Sequence, residues 1–140
     1  MSRIDIKTLG IVALILSTPV AAGPRDALLT QYAAEARVAT PAFGGFSAAR
    51  GKTLHNQNFA GGKADTPACV SCHGNDPRAA GRTRSGKAVE AMAVSATPTR
   101  FLDAAKVEKW FRRNCNDVAG RECTPQEKAD VLAWLLTLKP

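Results

Sequence analysis

The pentapeptide Cys69-Val70-Ser71-Cys72-His73 is the stretch of this 140-residue chain whose residue types and spacing indicate chemistry most specifically. It has the C-x-x-C-H pattern, which is the attachment signature of c-type haem. On a helical turn, thiols three positions apart can each add to one vinyl group, and the adjacent histidine can serve as proximal ligand of the iron. The motif therefore predicts one covalent haem c, held by Cys69 and Cys72, with His73 as axial ligand.

Two other kinds of site use a C-x-x-C pair, namely a thioredoxin-like redox pair and one half of a zinc site. A thioredoxin-like pair needs a βαβ context, and no strong strand pattern is found in the chain. A zinc site needs four ligands, and His55 is poorly spaced for one, as are the two remaining cysteines. Haem attachment explains the motif better than either alternative.

The N-terminus has the pattern of a secretory signal peptide. A basic region precedes an apolar run too short to span a bilayer comfortably, and small residues then lead to a cleavage point: Arg3 and Lys7, residues 9–16, and Val20-Ala21-Ala22. We predict cleavage after Ala22, which divides the chain into a signal peptide (1–22) and one domain (23–140), and we predict a periplasmic location. An uncleaved membrane anchor is the alternative.

Composition narrows the class of protein further. A length near 140 residues fits one domain and excludes multi-domain enzymes built on large Rossmann or barrel folds. A hydrophobic fraction of 45% and a charged fraction of 22% exclude disordered, collagen-like and coiled-coil chains. No second apolar run approaches membrane-spanning length, so the mature form is not expected to be embedded in a membrane.

The net charge of +7 falls to +6 when the signal peptide is removed, because two cations and one anion leave with it. Positive charge of this size can steer an acidic redox partner to the protein. Binding to nucleic acid is a poor explanation, because export and the haem motif both argue against it.

Cys115 and Cys123 remain after the motif is accounted for, eight positions apart. Outside the bacterial cytoplasm thiols oxidise, so a disulfide between these two residues is the default expectation.

Helical spacing and capping signals predict an all-α domain of four or five short helices around the haem. The predicted elements are a helix over 27–36 capped by Asp26, a helix over about 47–57, a short helix at the motif with Thr66 and Pro67 as N-cap and first residue, a helix from Asp103 to about Asn114, and a last helix opened by the capping box Thr124-Pro125-Gln126-Glu127. Residues 74–97 are predicted to be mostly loop.

The ligand opposite His73 decides the function, since a strong sixth ligand makes an electron carrier and a weak or absent one opens the iron to small gases. Met92 would give a conventional low-spin haem, although it could equally be an apolar contact over the porphyrin. His55 is a second candidate, for which a free surface position is the simpler interpretation.

Asparagine supplies the third candidate ligand. Val107, Trp110, Phe111 and Asn114 follow at i, i+3, i+4 and i+7, which predicts one helix face with Asn114 at the end of an apolar stripe. Asn114 is either a functional polar group or a residue that closes the helix by bonding its backbone. Asn116 suits a simple helix-end role better.

A longer set of segments resembles the sphaeroides haem protein (SHP) family. The resemblance covers about residues 50–135 and rests on Gly61-Gly62-Lys63, Thr66-Pro67, 69–74, Thr83-Arg84, 95–98, 105–110, Arg113-Asn114-Cys115-Asn116, 120–125 and 127–130. It implies a class I cytochrome c fold in which an asparagine is the sixth ligand of the oxidised haem. That asparagine precedes the first cysteine of a disulfide, which maps it to Asn114 and the disulfide to Cys115–Cys123. In a related branch, which resembles cytochrome c″, histidine stands at this place.

The resemblance also implies a function. The oxidised haem would have His73 and Asn114 as ligands, and Asn114 would leave on reduction, so that the ferrous haem binds oxygen, nitric oxide or carbon monoxide. A dihaem cytochrome c is the expected redox partner. The alternatives are an electron-transfer cytochrome with Met92 as permanent ligand and a small oxygen or nitric oxide reductase.

A basic loop that comprises Arg82, Arg84 and Lys87, with Thr83 and Ser85, could hold the haem propionates. Arg84 is the strongest candidate for that contact. A solvated basic loop is the alternative.

Overall fold

The computed structural model describes residues 22–140 and confirms the all-α prediction. In chain order the elements of this range are α1 (Pro24–Ala39), α2 (Ala48–Asn56), α3 (Val70–His73), β1 (Gly81–Arg82), β2 (Ala88–Val89), α4 (Ala104–Ala119) and α5 (Pro125–Thr137). The strands pair antiparallel, Gly81 opposite Val89 and Arg82 opposite Ala88, inside the stretch predicted as loop. The predicted signal peptide lies outside the described residues, apart from its last residue, Ala22.

None of the helices between residues 22 and 140 has the length and apolar character that crossing a membrane requires.

Helix α1 begins three residues earlier than predicted. Pro24 takes the first helical position behind Gly23, because its fixed φ suits that position and its missing N–H would have no partner there. Asp26 is therefore not the N-cap but lies inside the first turn, where its carboxylate accepts a hydrogen bond of 3.1 Å from the Gly23 N–H. Leu28, Tyr32 and Ala36 form the buried stripe of the helix.

Helices α2 and α5 cross in direct backbone contact. A Cβ atom on Gly51 would lie 2.0 Å from the carbonyl oxygen of Asp130, so only glycine fits at the crossing. The carboxylate of Asp130 is buried and accepts from the Ser47 N–H at 2.6 Å and from the Arg50 guanidinium at 2.7 and 3.0 Å. The N-terminal end of α2 is thus fixed to the middle of α5.

The hydrophobic core joins the three longest helices. One cluster comprises Leu28, Tyr32, Val107, Ala129 and Leu132, and a second comprises Val131, Trp134 and Leu135. Phe101 and Phe111 pack against both clusters, which makes the core continuous.

Helix α4 is longer than predicted. Asp103 is its N-cap, as expected, and accepts from the Lys106 N–H at 3.0 Å. The helix continues five residues beyond Asn114 and ends at Gly120, whose left-handed φ of 69° suits glycine. Its buried residues are Val107, Cys115 and Val118, whereas Trp110 is 41% exposed and does not belong to the stripe assigned to it.

We expect Gly51→Ala to lower the free energy of unfolding by about 1–3 kcal/mol, because an added methyl group would overlap the Asp130 backbone. Denaturant unfolding followed by circular dichroism measures the change. Gly44→Ala is the matched control, since nothing lies within 4 Å of a Cβ there. Equal stability of the two variants would show that the α2–α5 contact is looser than the structure has it.

The capping box predicted at the start of α5 is present and generates a pH-dependent prediction. The Glu127 carboxylate accepts two 2.7 Å hydrogen bonds from Arg121 and one of 2.8 Å from the Thr124 N–H. The bond from Arg121, ahead of that from Thr124, lowers the pKa of Glu127, so its stabilisation is present above the ordinary glutamate pKa and is lost as pH falls through the native value.

Glu127→Gln should therefore lower the free energy of unfolding by about 1 kcal/mol near pH 7. The difference from the parent protein should vanish in acid, once both carry an uncharged group at this position. Urea unfolding at several pH values measures it, with the exposed Glu122→Gln as control, expected to change by less than about 0.5 kcal/mol. A difference that persists unchanged in acid would contradict the ionic explanation.

Candidate functional site

The five motif residues form a single helical turn. The His73 N–H donates to the Cys69 carbonyl at 3.0 Å, and the Gly74 N–H donates to the Val70 carbonyl at 2.9 Å, where a φ of 72° at Gly74 ends the turn. Cys69 and Cys72 are both half-buried free thiols. The turn therefore presents two thiols and an imidazole together, as the motif predicts.

The start of α3 differs from the prediction. The helix begins at Val70, with Cys69 at the N-cap position, and not at Thr66 and Pro67. The Pro67 carbonyl instead accepts from the Phe59 N–H at 2.7 Å, which ties the residues before the motif to the segment that follows α2.

The chemistry of the thiols disfavours the redox alternative. Burial, ahead of other causes, raises the pKa of the Cys69 thiol to about 11, so the thiol stays protonated near neutral pH. A thioredoxin-like pair needs a thiolate at that pH. Nor does the part of the chain that the structure describes bring together three or more histidine, cysteine or acidic side chains around a metal position.

The imidazole of His73 is held neutral. Burial is the largest cause, and nearby His55 and the Arg100 cation add to it, together lowering the pKa of His73 to about 4. A neutral imidazole offers a lone pair to a metal. Its Nδ1 atom is buried and has no hydrogen-bond partner among the described residues.

His55 is not a surface residue, contrary to the simpler interpretation of the sequence. It is 1% exposed, and its ring centroid lies 6.3 Å from that of His73 and 5.1 Å from that of Trp134. Its burial follows from the helix crossing, because it lies one turn after Gly51 on α2. No local sequence signal marks such a tertiary contact.

Asn114 lies in the interior of α4, half-buried, three residues after Phe111. The interpretation that it closes the helix is wrong, because four further residues of helix follow Cys115 and the backbone there is already paired. Asn116 lies in the last turn, where its amide nitrogen donates to the Arg112 carbonyl at 2.7 Å.

The predicted disulfide is present next to Asn114. Cys115 and Cys123 are bonded with an S–S distance of 2.01 Å and a Cα–Cα distance of 5.7 Å. The segment before the motif reaches the same end of α4, since the Lys63 N–H donates to the Asp117 carbonyl at 2.7 Å. A Cβ on Gly62 would lie 2.2 Å from the Val118 carbonyl oxygen, so this contact also requires glycine.

Met92 is half-buried and packs against the cluster of Val131, Trp134 and Leu135. Its backbone N–H donates to the Pro77 carbonyl at 2.8 Å. The methionine therefore contributes apolar contact on the α5 side of the site.

The β1–β2 hairpin places the basic loop. A Cβ on Gly81 would lie 2.0 Å from the Cys72 carbonyl oxygen, so the base of the hairpin touches the motif turn directly. Arg84 lies in the connecting loop and is exposed. Arg100, which sequence analysis did not single out, is a second cation near the site; its guanidinium donates to the Ala91 and Glu90 carbonyls at 2.9 and 2.8 Å.

An all-α domain that offers two free thiols and a neutral histidine on one turn is built as a c-type cytochrome, and sequence comparison agrees. A family described as "Domain of unknown function (DUF1924)" matches residues 41–135. The chain is 49% identical over 125 residues to the cytochrome c-type protein SHP of Cereibacter sphaeroides, covering 89% of this chain and 94% of that protein. It is 36% identical over 113 residues to cytochrome c″ of Methylophilus methylotrophus, covering 80% and 78%.

The chain belongs to the family of SHP and cytochrome c″, and its cofactor is haem c.

Solved structures show the same relationship. Oxidised SHP, an oxygen-binding cytochrome c, matches with a TM-score of 0.75 at 49% identity, over 81% of this chain and 96% of that one. Oxidised cytochrome c″ matches with a TM-score of 0.73 at 35% identity, over 84% and 96%. The solution structure of cytochrome c″, which concerns haem-ligand detachment, matches with a TM-score of 0.70 at 35% identity, over 83% and 94%.

We expect mass spectrometry of the denatured protein to find one haem bound through Cys69 and Cys72. The variant Cys69→Ala/Cys72→Ala should release its haem on denaturation, because no thioether remains. The matched control Cys115→Ser/Cys123→Ser should keep the haem attached. Haem lost from the control, or retained by the first variant, would contradict the assignment of the motif.

Proposed function

We propose that this chain is an exported monohaem cytochrome c in which Cys69 and Cys72 hold the haem and His73 is the permanent axial ligand. Asn114 serves as the opposite ligand only while the protein is oxidised. When bound, the haem would supply an iron atom that can change oxidation state and take up a diatomic gas. The reduced protein accordingly binds oxygen, nitric oxide or carbon monoxide.

The position of Asn114 carries this proposal. A polar amide is placed in the middle of α4, between the core residue Val107 and the buried Val118, with no helix end to cap. This face of the helix packs towards the core, and an iron ligand position there would give the amide a partner. The solved relative SHP is an oxygen-binding cytochrome c, which supports the same conclusion.

Ligand chemistry explains why Asn114 would leave on reduction. The neutral amide oxygen is a hard, weak donor that suits ferric iron better than the softer ferrous iron. The departure must be a rotation of the side chain, because α4 continues without a break on both sides of the residue. The Cys115–Cys123 disulfide ties the neighbouring residue to the segment that precedes α5 and limits any movement of the helix itself.

An electron-transfer cytochrome with Met92 as permanent ligand is the second candidate function. The observation in its favour is that Met92 packs on the cluster of Val131, Trp134 and Leu135, and that Phe111 of α4 packs on the same cluster. Met92 therefore borders the same part of the interior as the helix that carries Asn114.

We place the mature protein in the periplasm after cleavage behind Ala22. Its exposed α4 surface carries the cations Lys106, Lys109, Arg112 and Arg113, and the last of these lies 5.6 Å from the ring of Trp110. A surface of this charge favours an acidic redox partner, for which a dihaem cytochrome c is our candidate, and the association should weaken as salt rises. Arg84 is our candidate for a propionate contact.

Optical spectra of the purified protein in both oxidation states test the gating role. We expect a ferrous form that is high-spin and takes up carbon monoxide, and a ferric spectrum that changes in Asn114→Ala. Asn116→Ala, two residues further along the same helix, is the matched control and should leave the ferric spectrum unaltered, as should Met92→Leu.

A ferric spectrum that changes in Met92→Leu but not in Asn114→Ala, with a low-spin ferrous form indifferent to carbon monoxide, would establish the electron-transfer alternative. Steady product formation from reductant and gas would instead identify a reductase. Carbon monoxide kinetics in Cys115→Ser/Cys123→Ser show whether the disulfide takes part, since unchanged kinetics would remove it from the mechanism.

A further inference from the structure

His55 is a second buried imidazole beside the motif turn. Its Nε2 atom lies 3.1 Å from the carbonyl oxygen of Gly74, the residue directly after His73. The ring is closed off from solvent and packs at 5.1 Å against Trp134. It therefore contacts the motif turn from the α2 side, and neither haem attachment nor the role of Asn114 accounts for it.

Hydrogen-bond chemistry fixes the tautomer of His55. A carbonyl oxygen can only accept, so Nε2 carries the proton and donates to Gly74. In a neutral imidazole with a protonated Nε2, Nδ1 is an acceptor. That Nδ1 atom is buried and has no partner among the described residues.

His73 presents the complementary need. An imidazole that binds a metal through one nitrogen nearly always donates the other N–H to an acceptor, which fixes the ring and raises the basicity of the ligand. Nδ1 of His73 is the buried nitrogen that lacks a partner, so it is the donor in this arrangement. One unpartnered acceptor and one unpartnered donor thus lie on two rings whose centroids are 6.3 Å apart.

We infer that one buried water links the Nδ1–H of His73 to Nδ1 of His55, and that His55 is a positioning residue for the axial ligand. The two nitrogens make no direct bond across the 6.3 Å between the ring centroids, and a buried water needs two or more polar partners, which these two nitrogens supply. The inference rests on that part of the proposed function which makes His73 the axial ligand.

The link gives His55 an electronic effect on the iron. A more basic axial ligand stabilises ferric iron relative to ferrous iron and lowers the reduction potential. Because the proposed function has Asn114 released in the reduced protein, the iron–histidine bond can be examined there without any contribution from the opposite ligand.

Three substitutions separate the two hydrogen bonds of His55. His55→Gln can keep the donor to Gly74 but has no acceptor at the Nδ1 position, whereas His55→Asn can place an amide oxygen near that position and loses the donor. His55→Phe loses both but keeps a ring against Trp134, so it controls for packing. The readouts are the reduction potential and the iron–histidine stretching frequency of the ferrous protein in resonance Raman spectra.

We expect His55→Gln and His55→Phe to lower the stretching frequency. They should also shift the ferric–ferrous equilibrium about tenfold towards the ferrous state, a rise of about 59 mV in reduction potential. His55→Asn should retain values near those of the parent protein. If His55→Asn does not fold, the agreement of His55→Gln with His55→Phe carries the test.

A parent protein without an iron–histidine band would overturn the five-coordinate ferrous state of the proposed function, and the reduction potentials of His55→Gln and His55→Phe would then decide the role of His55 alone. A band that is present but unmoved in both His55→Gln and His55→Phe, with an unchanged potential, would overturn the role of His55 alone. A shift found in His55→Phe but not in His55→Gln would likewise refute it, because the bond to Gly74 would then be responsible.

Discussion

The backbone contact between Gly51 of α2 and Asp130 of α5 is the constraint on which the placement of the site depends. One turn further along each helix stand His55 and Trp134, whose rings meet at 5.1 Å. His55 in turn holds the carbonyl that follows the motif turn. The crossing of two helices distant in sequence therefore sets the position of the turn that bears the thiols, and a change at the crossing would displace the site without touching any of its residues.

Buried polar groups are hydrogen-bonded at the α2–α5 crossing but lack partners beside the motif turn. Asp130 is a buried charge, but its carboxylate is paired with Arg50 and hydrogen-bonded to Ser47, as burial of a charge requires. Among the described residues, the buried side-chain atoms without a partner are Nδ1 of His55, Nδ1 of His73, Oγ1 of Thr66 and Oγ of Ser95. Two of the four belong to the motif histidine and its neighbour, so two of the missing hydrogen bonds lie at the predicted haem-attachment motif.

Local sequence signals predicted the helices correctly but placed some of their ends wrongly. Asp103 and Thr124 cap helices as expected, because at each position the side-chain oxygen accepts from a free N–H of the first turn and no other local group replaces it. The predictions that Asp26 and Thr66 are N-caps were wrong because another local group determined the backbone path. Before α1, a proline takes the first helical position, and before α3, the Pro67 carbonyl is bonded to the Phe59 N–H. The burial of His55 depends on a contact with α5, and no pattern within α2 encodes it. The motif itself was predictable, since adjacent residues carry its chemistry.

The two proposed ligands, His73 and Asn114, are held differently, and the difference suits the proposal of a haem with one firm and one loose ligand. On the motif side, His73 belongs to a turn that ends at Gly74 and is contacted by two separate segments, through His55 of α2 and Gly81 of β1. Asn114, the proposed opposite ligand, lies within a continuous helix, directly before a cysteine that a disulfide ties to the segment preceding α5. An amide that turns about its own side-chain bonds can leave and return without unfolding any element. The proposed ligand exchange would therefore need no change in the fold, because α4 is anchored through the buried Val107 and Val118.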